Sequence, residues 1–107
     1  VNPATDGHLL VVPERHAAGL GDLEPGDGAG MMAAAQRLVQ ALHASTMAVD
    51  GVNLLLSDGA AAGQEVFHTH LHVIPRTTGD GFTVSADFRS PDRSSLELWA
   101  AAVRAAL

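Results

Sequence analysis

Along the chain, apolar and polar positions alternate with period two in one stretch and recur at helical spacing in two others. His68, His70 and His72 alternate with Thr69, Leu71 and Val73, the period of a strand whose side chains point to opposite faces. The strand is predicted to begin at Glu65-Val66-Phe67 and to continue through Ile74-Pro75-Arg76, with all three imidazoles on one face. Val52–Leu56 is an apolar run after the turn signal Asp50-Gly51 and reads as a buried strand. Gly7–Val12 reads as an apolar strand stopped by Pro13. From Ala29 to Val49 the spacing is helical, with Met31, Ala35, Leu38 and Leu42 on one face. The approach to that helix, His16–Asp27, contains Pro25 at a plausible first helical position. Gly26, Gly28 and Gly30 weaken the start by up to about 1 kcal/mol each if they lie inside the helix. Thr77–Gly81 is a turn, and Phe82-Thr83-Val84 reads as a short strand or extended segment. A second helix is expected after Ser90-Pro91-Asp92-Arg93, with Ser94 and Glu97 at capping-box spacing and an apolar stripe of Leu96, Trp99, Val103 and Leu107. A tryptophan in such a stripe is more often core than ligand contact.

The three aligned histidines change the picture from fold to chemistry. A lone histidine at any of these positions reads as a surface or hydrogen-bonded structural residue. Three on one face leave many ring nitrogens to satisfy if they are simply buried. Alternate histidines on a strand can also bind zinc, usually with an added Cys, Asp, Glu or water. The chain has no cysteine, and the nearest acids, Asp58 and Glu65, precede the strand. Spacing alone leaves that reading open. The third reading is nucleophilic catalysis, one imidazole attacking while its neighbours orient it, donate protons and neutralise charge. The preceding loop, Ser57-Asp58-Gly59-Ala60-Ala61-Ala62-Gly63-Gln64, favours it, because small residues let backbone N–H groups approach a phosphate. With a pKa of about 6.5, imidazole serves near neutrality as neutral nucleophile or charged donor.

Length and charge set limits. A chain of 107 residues is one domain. A formal charge of −6 argues against a broad nucleic-acid surface. A small anion would instead feel the local field of Arg15, Arg76, the imidazoles and backbone amides. No apolar run reaches the roughly 18 residues of a membrane span, and no signal peptide is visible, so a cytoplasmic location is the default. The absence of cysteine excludes disulfides within the sequence. His43 on the long helix reads as surface, and His16 either caps the turn after the first strand or faces the site.

The run His68-x-His70-x-His72, extended back through Ala62-Gly63-Gln64-Glu65-Val66-Phe67 and forward to Ile74-Pro75-Arg76, resembles the histidine triad family of nucleotide hydrolases and transferases. A second block, Asn2 to His16, is similar to that family's Gly-His-x-Leu-Val-x-Pro-x-x-His segment. The resemblance covers residues 1–76. It implies an α+β fold with an antiparallel sheet flanked by two helices, in a homodimer whose sheets join edge to edge and whose interface uses the helix Ala29–Val49. Strands preceding residue 1 would complete the base pocket, with Asn2 among the substrate-binding residues and an acidic residue just before this point holding the ribose, so residues 1–107 would be a histidine triad domain without its amino-terminal strands. By the same resemblance His70 attacks the α-phosphorus and forms a nucleotidyl-histidine, His72 contacts the α-phosphate, and His68 holds the tautomer and orientation of His70. His8 joins the relay, and Gln64 with the backbone of Gly63 and Glu65 lines the phosphate pocket.

Two positions depart from the family pattern. Glu65 stands where Ser or Thr is common, and Ser57 where many relatives place Asn or Gln. The third histidine is retained, which points toward the hydrolase branches. The function implied is a nucleotide hydrolase that cleaves purine nucleoside phosphoramidates or dinucleoside polyphosphates at the α-phosphate and releases a nucleoside monophosphate, with no cofactor or metal. A nucleotidyltransferase or phosphorylase is the competing enzyme, a nucleotide-binding regulator with little turnover a second alternative, and a metalloprotein using the three histidines a third.

Overall fold

The computed structural model describes residues 2–107. Along the chain lie β1 (Leu9–Val11), α1 (Pro25–Ala44), β2 (Gly51–Leu55), β3 (Leu71–Arg76) and α2 (Arg93–Ala106), with single 3-10 turns at Leu20–Asp22 and Ala60–Ala62. The strands form one antiparallel sheet in the order β1-β3-β2, an α+β architecture as expected. The core lies between α1 and one sheet face: Met31, Ala35 and Leu42 meet Leu71 and Val73. This is the helix face the spacing predicted, with Leu38 packed at its margin.

The period-two pattern survives beyond the ladder. Thr69, Leu71 and Val73 are buried while His68, His70 and His72 are partly open, so the three rings do share the less buried side. The strand itself starts only at Leu71, not at Glu65. The reason is the neighbours: β1 ends at Val11 opposite Leu71, and β2 ends at Leu55 opposite His72. Without partners on either side, residues 65–67 stay irregular, and Val66 and Phe67 are exposed. Only His72 of the three histidines therefore lies on the sheet.

Pro75 sits on the central strand, where a proline normally removes a ladder bond. The Arg76 carbonyl accepts from the Asp50 amide on the β2 side, so the Pro75 backbone faces β1. There the ladder has already ended, since β1 begins at Leu9 opposite Val73. The missing N–H costs nothing on that side. The Pro75 carbonyl takes its hydrogen bond from the Thr5 hydroxyl at 2.7 Å.

Two further elements have other bounds than the pattern predicted, and one expected strand is absent. The first strand is shorter than Gly7–Val12 because Gly7, at φ +81°, belongs to a turn closed by the His8 amide on the Thr5 carbonyl. The long helix runs from Pro25 to Ala44, not from Ala29 to Val49. Pro25 is its first residue and the three glycines lie inside. At its end the Ser45 hydroxyl donates to the Leu42 carbonyl at 2.7 Å and accepts from the Met47 amide, replacing the next helical bonds. Phe82–Val84 forms no strand.

The second helix is present, but Asp92 rather than Ser94 caps it, its carboxylate accepting from the Ser95 amide at 2.8 Å and the Ser94 hydroxyl at 2.9 Å. These bonds hold the Asp92 carboxyl below its usual pKa. Glu97 pairs instead with Arg93, one turn back. The stripe of α2 is not buried: Trp99 is 55% exposed, so it is not the core residue its position suggested.

Candidate active site

The turn from Asn2 to His8, strand β1 and the segment 68–72 bring five histidines into two groups. In the first, the backbone amide of Ala4 donates to His8 Nδ1 at 3.0 Å. A backbone N–H can only donate, so neutral His8 carries its proton on Nε2. His8 Nε2 lies 2.8 Å from His72 Nδ1. His8 therefore donates to His72 Nδ1, and neutral His72 carries its proton on Nε2. The His72 and His70 rings are 4.9 Å apart between centroids, in an edge arrangement. His70 Nδ1 lies 2.8 Å from the carbonyl oxygen of His68, which can only accept, so Nδ1 holds the proton and Nε2 keeps its lone pair. Two atoms are thus prepared: a nucleophilic nitrogen on His70 and a hydrogen-bond donor on His72.

The electrostatics favour the neutral state of His72. Burial, followed by the neighbouring His70 and His8, pushes its pKa below the usual histidine value. The desolvation of a partly enclosed imidazole disfavours the cation, and two adjacent imidazoles that can themselves become positive add to it.

The second group pairs His68 with His16. His68 Nε2 donates to the Pro13 carbonyl at 2.9 Å, and the two Nδ1 atoms are 3.3 Å apart. With His68 Nε2 protonated, His68 Nδ1 accepts and His16 donates. The His68 ring thus anchors its segment to the turn after β1, reinforced by the Thr69 amide on the Ala17 carbonyl at 2.7 Å. Its bond to His70 is made by the backbone oxygen, where a role for the side chain was expected. His16 faces His68 rather than capping the turn, and His43 is exposed as predicted.

The loop before the histidines is more self-contained than expected. Gly59 and Gly63 have φ of +92° and +95°, conformations that favour glycine. Gln64 is buried: its carbonyl oxygen accepts from the Gly59 amide, and its NH2 donates to the Ala18 and Val66 carbonyls. The Gly63 and Gln64 amides bond to Ala60 and Gly59 within the loop. Gln64 and the Gly63 amide therefore shape the loop that is expected to line the phosphate pocket. Ser57 lies on the inner side of this loop, its hydroxyl 4.0 Å from where a side chain on Gly63 would begin. Glu65 is exposed.

Asn2, Pro3, His8, Leu10 and His72 line a hollow of about 260 Å³. This places Asn2 at the edge of the His8–His72 pair. A larger hollow of about 640 Å³ opens beyond the Thr5 turn, but its lining carries Asp6 and Asp80 and no histidine, a poor environment for a phosphate. The two arginines expected to attract an anion are already paired. Arg15 forks onto Asp27, and Arg76 onto Asp80 with further bonds to Asn53 and the Phe82 carbonyl. Asp80 is held well below the usual carboxylate range by Arg76. Positive character at the site comes from ring N–H groups instead. Among the described residues, no three potential metal ligands converge, and no helix is long and apolar enough to cross a membrane.

Residues the pattern reading overlooked are Ala4 and Thr5, whose amide and hydroxyl hold the turn that carries His8. The available signal was a hydroxyl residue shortly before Gly7-His8.

Comparison with known proteins agrees with this fold. The HIT domain family matches residues 1–79. An uncharacterised HIT-like protein of Mycobacterium tuberculosis is 42% identical over 98 residues, covering 89% of this chain and 67% of its own. Adenylylsulfatase HINT3 of Arabidopsis thaliana is 39% identical over 97 residues, covering 91% of this chain and 47% of its own. Among solved structures, a Zn-bound histidine triad family protein from Mycobacterium smegmatis superposes with a TM-score of 0.72 at 40% identity, covering 100% of this chain and 78% of that one. A HIT family member from Bacillus subtilis gives a TM-score of 0.87 at 28% identity, covering 97% and 75%.

Proposed function

The chain belongs to the histidine triad family, and from that premise we propose that it cleaves purine nucleoside phosphoramidates or dinucleoside polyphosphates at the α-phosphorus. The observation that carries this reading is the pair of prepared atoms, the unprotonated Nε2 of His70 beside the protonated Nε2 of His72. His70 Nε2 forms a bond to phosphorus while the bond to the leaving group breaks. A polyphosphate departs as an anion; an amine departs with a proton taken from solvent, which the attacking water restores in the hydrolysis step. His72 Nε2–H holds a phosphoryl oxygen as charge develops there. Water then attacks phosphorus, breaks the P–N bond and releases the nucleoside monophosphate.

In this scheme His8 supports His72 and the His68 carbonyl holds the His70 tautomer. Asn2 borders the nucleoside, while Ser57 and the Glu65 backbone face the phosphates from the loop. The relative described as an adenylylsulfatase adds sulfate to the leaving groups worth testing. No metal or cofactor takes part.

Two copies join through β2 in the same reading. It is an outer strand whose far side has no strand partner among the described residues, which supports edge-to-edge pairing, with α1 as the further interface element.

The test is turnover of adenosine phosphoramidate, diadenosine polyphosphate and adenylyl sulfate in excess EDTA, with His70→Ala alongside. Release of AMP by the unmodified protein and its loss in the variant is the expected result. Turnover that survives His70→Ala removes the assignment of the nucleophile. Binding of AMP without turnover of any of the three favours the regulator, and turnover abolished by EDTA favours a metal site.

A further inference from the structure

We propose that Thr5 is a positioning residue that selects the tautomer of His72 from outside the catalytic group. A hydrogen bond between two neutral imidazoles has no inherent direction, because either ring can donate and the other accept. Taken alone, His8 Nε2 and His72 Nδ1 at 2.8 Å allow His72 to carry its proton on Nε2 or on Nδ1. Only the first arrangement leaves a donor on the far nitrogen of His72. The choice is made at the other end of the relay, where the Ala4 amide donates to His8 Nδ1 at 3.0 Å and so forbids a proton there.

That amide is held in place by Thr5. The Thr5 hydroxyl donates to the Pro75 carbonyl at 2.7 Å, the group that the end of the β1 ladder leaves without a strand partner. The Thr5 carbonyl closes the turn by accepting from the His8 amide at 3.2 Å. One residue thus ties the Ala4–His8 turn to β3, the strand that bears His72. The proline on the central strand and the direction of the histidine relay are two ends of one device.

The direct test is the protonation pattern of His72 in long-range proton–nitrogen NMR spectra of the folded protein above pH 7. The variants are Thr5→Val, which keeps the shape and removes the hydroxyl, and Thr5→Ser, which restores it. The unmodified protein and Thr5→Ser are expected to show His72 protonated on Nε2 alone, and Thr5→Val a mixture of both tautomers. Ala4→Pro removes the amide while keeping Thr5, and is expected to give the same mixture should Thr5→Val fail to fold. A His72 that stays on Nε2 in either folded variant overturns the proposal, as does a mixture that Thr5→Ser does not reverse.

The consequence for turnover rests on the function proposed above. With the competent tautomer reduced to about half, kcat falls roughly twofold in Thr5→Val and returns in Thr5→Ser. A mixed His72 spectrum with unaltered turnover upholds tautomer selection and counts instead against the part given to His72 in the reaction.

Discussion

Residues 68–73 and residues 93–106 both carry a regular apolar pattern, yet they end in opposite states. In the first, every second side chain is buried, down to 0% exposure for Val73. In the second, Leu96, Trp99 and Val103 are 50%, 55% and 63% exposed, and α2 buries none of its residues. Periodicity states which face an element can bury; burial itself needs a surface on the other side. The histidine segment has α1 and two flanking strands to press its inner face against. Helix α2 follows a long irregular stretch, residues 77–92, and packs against neither the sheet nor α1 to any appreciable extent. Precise placement of the histidine rings belongs to the first region, where packing fixes every alternate residue.

Mutations can break this contrast. Leu71→Ala deletes a side chain at the interface of β3 with α1 and is expected to cost about 2–5 kcal/mol in urea unfolding. Thr69→Val works in the other direction. Thr69 is 1% exposed, and its hydroxyl has no hydrogen-bond partner among the described residues, so replacing it with an isosteric methyl is expected to stabilise by about 1 kcal/mol. Val103→Ala on α2 is expected to change the same measurement by less than about 0.5 kcal/mol. Equal losses for Leu71→Ala and Val103→Ala would dissolve the distinction between the regions.

Acidification probes the buried region from another side. The pKa of His72 is lowered by burial and by His70 and His8, so the unfolded chain takes up this proton first as pH falls through about 6.5. The contribution of His72 to stability is therefore intact above that pH and is lost as pH drops to its folded value. An NMR titration of the folded protein is expected to place the His72 midpoint below that of a free histidine. A midpoint at or above the free value would contradict the enclosed site.

The smallest effect is expected at the cap of α2. Asp92→Ala removes the acceptor for the Ser95 amide and should fray the first turn, lowering the helical circular dichroism slightly while leaving the melting midpoint of the sheet unchanged.

What the sequence made legible follows the same line. Period two in residues 68–73 identified the inner and outer faces, and helical spacing identified Met31, Ala35 and Leu42 as core. The strand's first residue was not legible, because it depends on where β1 and β2 leave their central neighbour. The end of α1 depended on one hydroxyl, Ser45, which could as well have stood exposed on a longer helix. The three histidines were visible at once, and the resemblance supplied His8. The pairing of His16 with His68, 52 residues apart, and the tie from Thr5 to Pro75, 70 residues apart, required the fold to bring them together. The part Gln64 plays in shaping the loop was hidden for a related reason: its residue type suits a phosphate contact, and only the fold shows its bonds to Gly59, Ala18 and Val66.

The central claim is that His70 is the nucleophile. Its most direct test is rapid quenching of the protein with an adenosine phosphoramidate, followed by mass mapping of the peptide that contains residues 68–76 under conditions that preserve P–N bonds. The account predicts an adenylyl group on His70, absent from His70→Ala together with AMP release, a loss of at least about a thousandfold. An adenylyl group on His68, His72 or His8, or unchanged AMP release by His70→Ala, would contradict it.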